Sequence, residues 1–248
     1  MTLHRVGQPG QVVHALAVVR PLAPMRLAEP FQYPAEVDVE GRRGIHAGIL
    51  AGGGATFPET GRRRAGAGRY NAGMNLRPYK GILPTLGARA YVDPAATVIG
   101  DVHLGEDSSV WPGCVVRGDV NHIRIGARTN IQDGSIIHVT HEGPYTRPGG
   151  WPTIIGDDVT IGHGAIVHAC TLGNAVLIGM GATVLDGAVV EEHGFVGAGA
   201  VVPPGKTVRS RELWLGNPAR PVRLLSDQEV EQLYYSAKHY VRLKDEYL

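Results

Sequence analysis

The chain has 248 residues and nearly balanced charge, with 24 Lys plus Arg against 23 Asp plus Glu. That balance gives no basic footprint for a nucleic acid or an anionic membrane, and no apolar run approaches the length that spans a bilayer. Cys114 and Cys170 are too few for a disulfide framework and read as small core thiols, whereas 35 glycines, about twice the average share, point to many tight corners.

Residues 1–73 are rich in Pro, Gly and Arg and carry no sustained period; Arg62, Arg63 and Arg64 stand in a Gly/Ala-rich stretch. They are expected to be disordered, or to be upstream sequence translated ahead of a true start at Met74. Val12–Val19 is a weak signal-peptide candidate interrupted by His14; a cytoplasmic protein is the expectation. From Met74 the text becomes orderly. Pro78, Pro84 and the glycines between Tyr79 and Ala90 suggest an extended lead-in that covers the first coil.

From Val92 to Val208 an aliphatic residue returns every six positions. The marks are Val92, Val98, Leu104, Val110, Val116, Ile125, Ile131 and Ile137, then Ile155, Ile161, Val167, Leu172, Ile178, Val184, Val190, Val196, Val202 and Val208. A period of six fits neither an amphipathic helix nor an alternating strand; it is the signature of a hexapeptide β-helix. Three hexads close one coil, so every third mark stacks on the one a coil away, at about 4.8 Å, and the marks form three columns. The first column starts at Val92 and includes Ile131 and Ile161; the second starts at Val98 and includes Val116, Ile137 and Val167; the third starts at Leu104. Three steps depart from six: Val167 to Leu172 is one residue shorter, while Val116 to Ile125 and Ile137 to Ile155 are longer and are expected to be loops bulging from corners. The fold class expected is an all-β parallel β-helix of about six coils over residues 74–225. Trp214–Pro221 reads as an irregular turn region. Ser226 and Glu229 form a capping box that opens a helix over 226–248, with Val230, Leu233, Tyr234, Ala237 and Val241 on the face packed against the side of the β-helix.

The register also sorts the polar residues. His138 follows Ile137 and His168 follows Val167, consecutive marks of one column, so the two imidazoles stack at one corner. That suits two ligands of one metal. His163 follows Ile161 by two and projects from a different corner, so it reaches such a metal only from an adjoining subunit. A cyclic trimer brings different corners together, and three neutral imidazoles with an open fourth position are the ligand set of a catalytic zinc; Fe2+ and Co2+ accept the same donors. Arg117 lies one coil below His138, with Asp119 two residues on. Gln132 and Asp133 follow Ile131, and Asp133 lies one coil below His163. The Arg117–Asp119 pair reads at least as a structural clamp at the trimer interface. Gln132 offers a neutral amide able to orient a bound hydroxide.

The phrases VVRGDVNHIRIGARTNIQDGSIIHV (Val115–Val139) and TIIGDDVTIGHGAIVHACTLG (Thr153–Gly173) resemble the γ-class carbonic anhydrase family, and most closely its bacterial YrdA- and CamH-like branch of small hexapeptide-repeat proteins. The resemblance runs from about Met74 to the C-terminus. It implies a left-handed β-helix, a homotrimer and a divalent metal held by His138, His163 and His168. It further implies that Arg117 and Asp119 form the interface ion pair ordering the site, that Gln132 orients the metal-bound hydroxide, and that Asn130 and Asp133 support it. Two departures stand out. Val120 occupies a position that is Glu in the archetype, and the insertion Thr140–Pro152 is short, with only His141 and Glu142 titratable. Trp214 also replaces a frequent Tyr.

The activity implied is reversible hydration of CO2 to bicarbonate by a zinc-bound hydroxide. Without the archetype's shuttle Glu, turnover is expected to be slow or buffer-limited, with His141 or Glu142 as relays. Three alternatives share the scaffold: a metal-dependent thioesterase or other hydrolase, a hexapeptide-family acyltransferase, and a non-catalytic metal-binding trimer.

Overall fold

The computed structural model describes residues 74–248; the readings of 1–73 lie outside the described residues. The chain winds as a parallel β-solenoid whose strands are mostly two or three residues long. The marks meet in the expected columns. Val92, Val110, Ile131, Ile161, Ile178 and Val196 pair in sequence along one sheet. Val98, Val116, Ile137, Val167, Val184 and Val202 pair along a second face, and the column from Leu104 to Val208 forms the third. Each mark is buried. An inward aliphatic side chain removed from water on every hexad contributes about 1.5–3 kcal/mol, and this repeated burial is what a six-residue period encodes.

The small residues beside the marks follow from the close approach of coils. A Cβ on Gly126, which follows Ile125, would lie 2.5 Å from the carbonyl carbon of Gly156 on the next coil. At the corners the chain needs positive φ, met by Gly134 at 70° but also by Ala169 at 51°. A left-handed L-residue costs roughly 1–2 kcal/mol, so the surrounding ladder must over-determine the corner at Ala169.

Four details differ from expectation. The lead-in does not merely cover the first coil: Leu76 pairs with Val98 and Leu86 with Leu104, both in parallel. Trp214 pairs with Val196, so every column is one rung longer than the sequence marks alone suggest. The gap between Val116 and Ile125 is not a loop. Strand Val115–Ile125 runs unbroken across the corner beside Thr97–Leu104, with a register shift between Gly100 and Val102 that absorbs the extra residues as a bulge. Finally, the stretch read as an irregular turn is an antiparallel hairpin, Glu212–Gly216 against Ala219–Leu224.

The insertion after His138 is a loop closed by two antiparallel hydrogen bonds between Thr140 and Trp151. The C-terminal helix spans Asp227–Asp245, with Ser226 and Glu229 forming the capping box. It buries Leu233, Ala237 and Lys244. Tyr240 packs edge-on against Trp111, and Ser236 meets Thr160. The helix therefore covers the first face, away from the corner that carries His138 and His168. Cys114 and Cys170 are buried and unpaired. No helix among the described residues is long and apolar enough to cross a membrane.

Candidate metal centre

The ladder that stacks Ile137 on Val167 also pairs His138 with His168. Their ring centroids are 5.1 Å apart, and His138 Nδ1 faces His168 Nε2 at 3.1 Å. The other nitrogen of each ring meets a carboxylate. His138 Nε2 donates to Asp119 Oδ1 at 3.1 Å, and His168 Nδ1 donates to Asp186 Oδ1 at 2.6 Å. An ionised carboxylate only accepts, so each neutral ring has its proton on the nitrogen turned away from its partner. The two nitrogens that face one another are then both bare lone pairs.

Two such acceptors 3.1 Å apart repel unless a cation or a shared proton lies between them. The spacing fits a metal: two nitrogens bound at about 2.05 Å with tetrahedral angles lie about 3.3 Å apart. The electrostatics favour the neutral form of the His138 ring. Burial of its ring, the largest effect, holds the His138 pKa below the usual value despite the opposing pull of Asp119. Burial alone would raise the pKa of Asp119. Hydrogen bonds from Arg117 and His138 outweigh it and hold the carboxyl below its ordinary range. Asp186 follows the same pattern, with burial opposed by hydrogen bonds from His168 and Thr140. The donor set of this corner therefore suits a divalent cation such as zinc.

Arg117 lies within the same chain's cluster, its guanidinium donating to Asp119 Oδ2 at 2.5 Å. The remaining candidates gather elsewhere. His163 Nδ1 contacts Asp133 Oδ2 at 2.8 Å across adjacent coils. On the strand leading to that corner, Gln132 Nε2 donates to Asn130 Oδ1 at 3.0 Å, and Asn130 Nδ2 donates to Thr160 Oγ1 at 3.0 Å. Asn130 and Gln132 are almost fully buried. One chain thus carries two half-constellations: Arg117, Asp119, His138 and His168 at one corner, and Asn130, Gln132, Asp133 and His163 at another. Among the described residues, no three His, Cys, Asp or Glu of a single chain gather to hold a metal.

Several neighbours were not singled out in the sequence. Asp186 is one. Thr140 is another, its hydroxyl donating to Asp186 Oδ2 at 2.5 Å. A cavity of about 300 Å³ opens beside Asp119, lined also by Tyr79, Lys80, Asp101, Asn121 and His122. Burial, then the charge of Arg124, holds the His122 pKa below the usual value. Trp214 is a packing residue here, buried at the end of the first column with its indole N–H on Glu212.

A parallel solenoid with a six-residue mark is a hexapeptide-repeat protein. No family model matches the chain. It is 53% identical over 173 residues to Protein YrdA of Escherichia coli (strain K12), covering 70% of this chain and 94% of that protein. It is 51% identical over 160 residues to gamma carbonic anhydrase 1, mitochondrial, of Arabidopsis thaliana, covering 64% of this chain and 58% of the plant protein. A solved structure of a hexapeptide transferase family protein from Anaplasma phagocytophilum matches with a TM-score of 0.64 and 43% identity, over 70% of this chain and 98% of that one. The chain belongs to the γ-carbonic-anhydrase-like family of hexapeptide-repeat proteins.

Proposed function

We propose that the protein is a metal-dependent carbonic anhydrase of the γ class that works as a homotrimer, with three equal sites between subunits. The observation that carries this reading is the facing pair of bare imidazole nitrogens on His138 and His168, 3.1 Å apart, in a chain whose third candidate ligand stands at another corner. His163 of one subunit completes the site begun by His138 and His168 of the next, and the half-constellations become one whole. Zinc is the proposed ion, and Fe2+ or Co2+ suit the same donors. Held there by His138, His168 and His163, such a cation would acidify water to a nucleophile at neutral pH and offset developing negative charge.

The residues of the chain then have separable tasks. Asp119 fixes the His138 ring, and Arg117 holds Asp119. Gln132 commits its Nε2 to Asn130, and its carbonyl oxygen has the task of accepting from the attacking O–H and pointing the oxygen lone pair at CO2. The net reaction, CO2 + H2O to HCO3− and H+, leaves one proton to be exported. Val120 offers no carboxylate for this. Export falls to His141 and Glu142 on the insertion, and to His122, which shares the cavity with Asp119.

A stopped-flow CO2-hydration assay on zinc-loaded protein tests the reading, with metal-stripped protein as the control. Activity that appears with metal and disappears without it supports the proposal. A metal-replete trimer at the uncatalysed rate overturns it. Similarity to the hexapeptide transferase family protein from Anaplasma phagocytophilum favours acyl transfer as a second reading. Calorimetry with acetyl-coenzyme A separates the two, since binding is expected only for a transferase.

A further inference from the structure

Asp186 stands two residues after Val184, which stacks directly on Val167. Its carboxylate therefore lies one coil from His168, and both of its oxygens are used. One accepts from His168 Nδ1 at 2.6 Å, the other from Thr140 Oγ1 at 2.5 Å. The backbone around Asp186 is pinned from both sides: Gly205 N donates to the Asp186 carbonyl at 2.9 Å, and Gly187 N donates to the Ala169 carbonyl at 2.8 Å. The residue after His168 is the left-handed Ala169. Its N–H donates to the carbonyl of His138 and to Thr153 Oγ1, and Thr153 Oγ1 in turn donates to the same His138 carbonyl. The His168 ring is thus set on a backbone that cannot shift independently of His138, and one carboxylate decides which of its nitrogens is bare.

Thr140 gives that carboxylate a second reach. It is the first residue of the insertion, and it closes the loop through its paired bonds with Trp151. Asn121 holds the same loop from the other side, its Nδ2 donating to the carbonyls of Thr140 and Gly149. The loop and the ligand ring share one anchor.

We infer that Asp186 is the positioning residue of His168: it fixes the Nε2-bare tautomer facing His138 and, through Thr140, latches the insertion 140–151 to the metal half-site. The part concerning metal affinity rests on the metal-site reading above; the tautomer and the latch do not. A hydrogen-bonded carboxylate behind a ligating imidazole fixes its orientation and raises its basicity, and losing it typically weakens metal binding 10–100-fold.

The test uses the full chain in three variants, each with three readouts. In metal-free wild type, 15N NMR of the His168 ring is expected to report a protonated Nδ1 and a bare Nε2. Asp186→Leu, similar in shape but without an acceptor, moves the proton to Nε2 and weakens Co2+ binding, measured against a competing chelator, by about 10–100-fold. Asp186→Asn keeps the shape of the side chain and guards against a folding artefact: its amide can either accept from Nδ1 or donate to it, so the Nδ1 proton is no longer fixed and Co2+ affinity falls partway toward that of Asp186→Leu. Thr140→Val leaves the His168 tautomer unchanged and speeds amide exchange at Thr140 and Trp151. An unchanged tautomer in Asp186→Leu overturns the positioning role, and unchanged exchange in Thr140→Val overturns the latch. Failure of wild type to bind Co2+ overturns the metal reading instead, while the tautomer measurement still judges Asp186.

Discussion

The two histidine-bearing corners of one chain are built differently. At the first, His138 and His168 have side chains only 18% and 30% exposed, and each ring is oriented by a carboxylate on a neighbouring coil. At the second, His163 is 47% exposed and its partner Asp133 is 49% exposed. The first corner is a finished pair, each ring held by its own carboxylate. The second is a lone donor on an open edge, backed by the buried Asn130–Gln132 pair. On the proposed reading, the first corner takes a cation without rearrangement of the chain, whereas the second acts as a ligand only when another subunit is brought to it. The period-six scaffold explains how one chain carries both: stacking puts His138 and His168 on one column, and a two-residue offset from Ile161 puts His163 on another edge.

The sharpest way to break this contrast is at the finished corner. His138→Ala or His168→Ala is expected to abolish stoichiometric zinc binding and reduce CO2 hydration to background; plasma emission analysis of the purified protein reads the first, stopped-flow the second. Retention of a full zinc complement in both variants would show that the corner is not the donor pair. Next in size is the scaffold beneath it. Ile137 is fully buried, and Ile137→Ala is expected to cost about 2–5 kcal/mol in chemical denaturation, as large-to-small core changes do. A cost near zero would mean that this rung is not packed as described.

Acidification probes the same corner more gently. Burial, the leading cause, holds the folded-state pKa of His138 below the unfolded value of about 6.5. Burial does the same for His103 and His122. The unfolded chain therefore takes up more protons, and the stability these rings contribute is present above about pH 6.5 and lost as pH falls through their lower folded values. The Tm of metal-free protein is expected to drop between about pH 7.5 and 5.5; a constant or rising Tm contradicts the assignment. The smallest effect concerns proton export. His122→Ala, and His141→Ala with Glu142→Ala, are each expected to slow turnover a few-fold in dilute buffer, with rescue by added imidazole. Unchanged buffer dependence in all of them removes these groups as relays.

Much of this was legible in the sequence because coil stacking is arithmetic. The columns follow from spacing alone, and so does the meeting of Asp133 with His163, since each stands two places after stacked marks. Asp186 was not legible by the same rule: it stands two places after its mark and His168 only one, so their contact depends on side-chain direction at a left-handed corner. The hairpin over 212–224 hid behind its turn residues. Trp214 falls six after Val208, but its aromatic side chain breaks the aliphatic pattern and reads as part of a turn, whereas it pairs with Val196. The unbroken strand Val115–Ile125 was misread as a loop because a bulge and an insertion lengthen the spacing alike.

The most direct test of a site shared between subunits is complementation. Neither a His163→Ala trimer nor a His138→Ala/His168→Ala trimer retains a complete ligand set. When the two chains are unfolded together and reassembled, an interface that pairs the first chain's His138 and His168 with the second chain's His163 is whole again. The account predicts that every mixed trimer regains one zinc site, with CO2 hydration in proportion, while each parent remains empty. Mixed trimers that form but bind no zinc beyond their parents would contradict it.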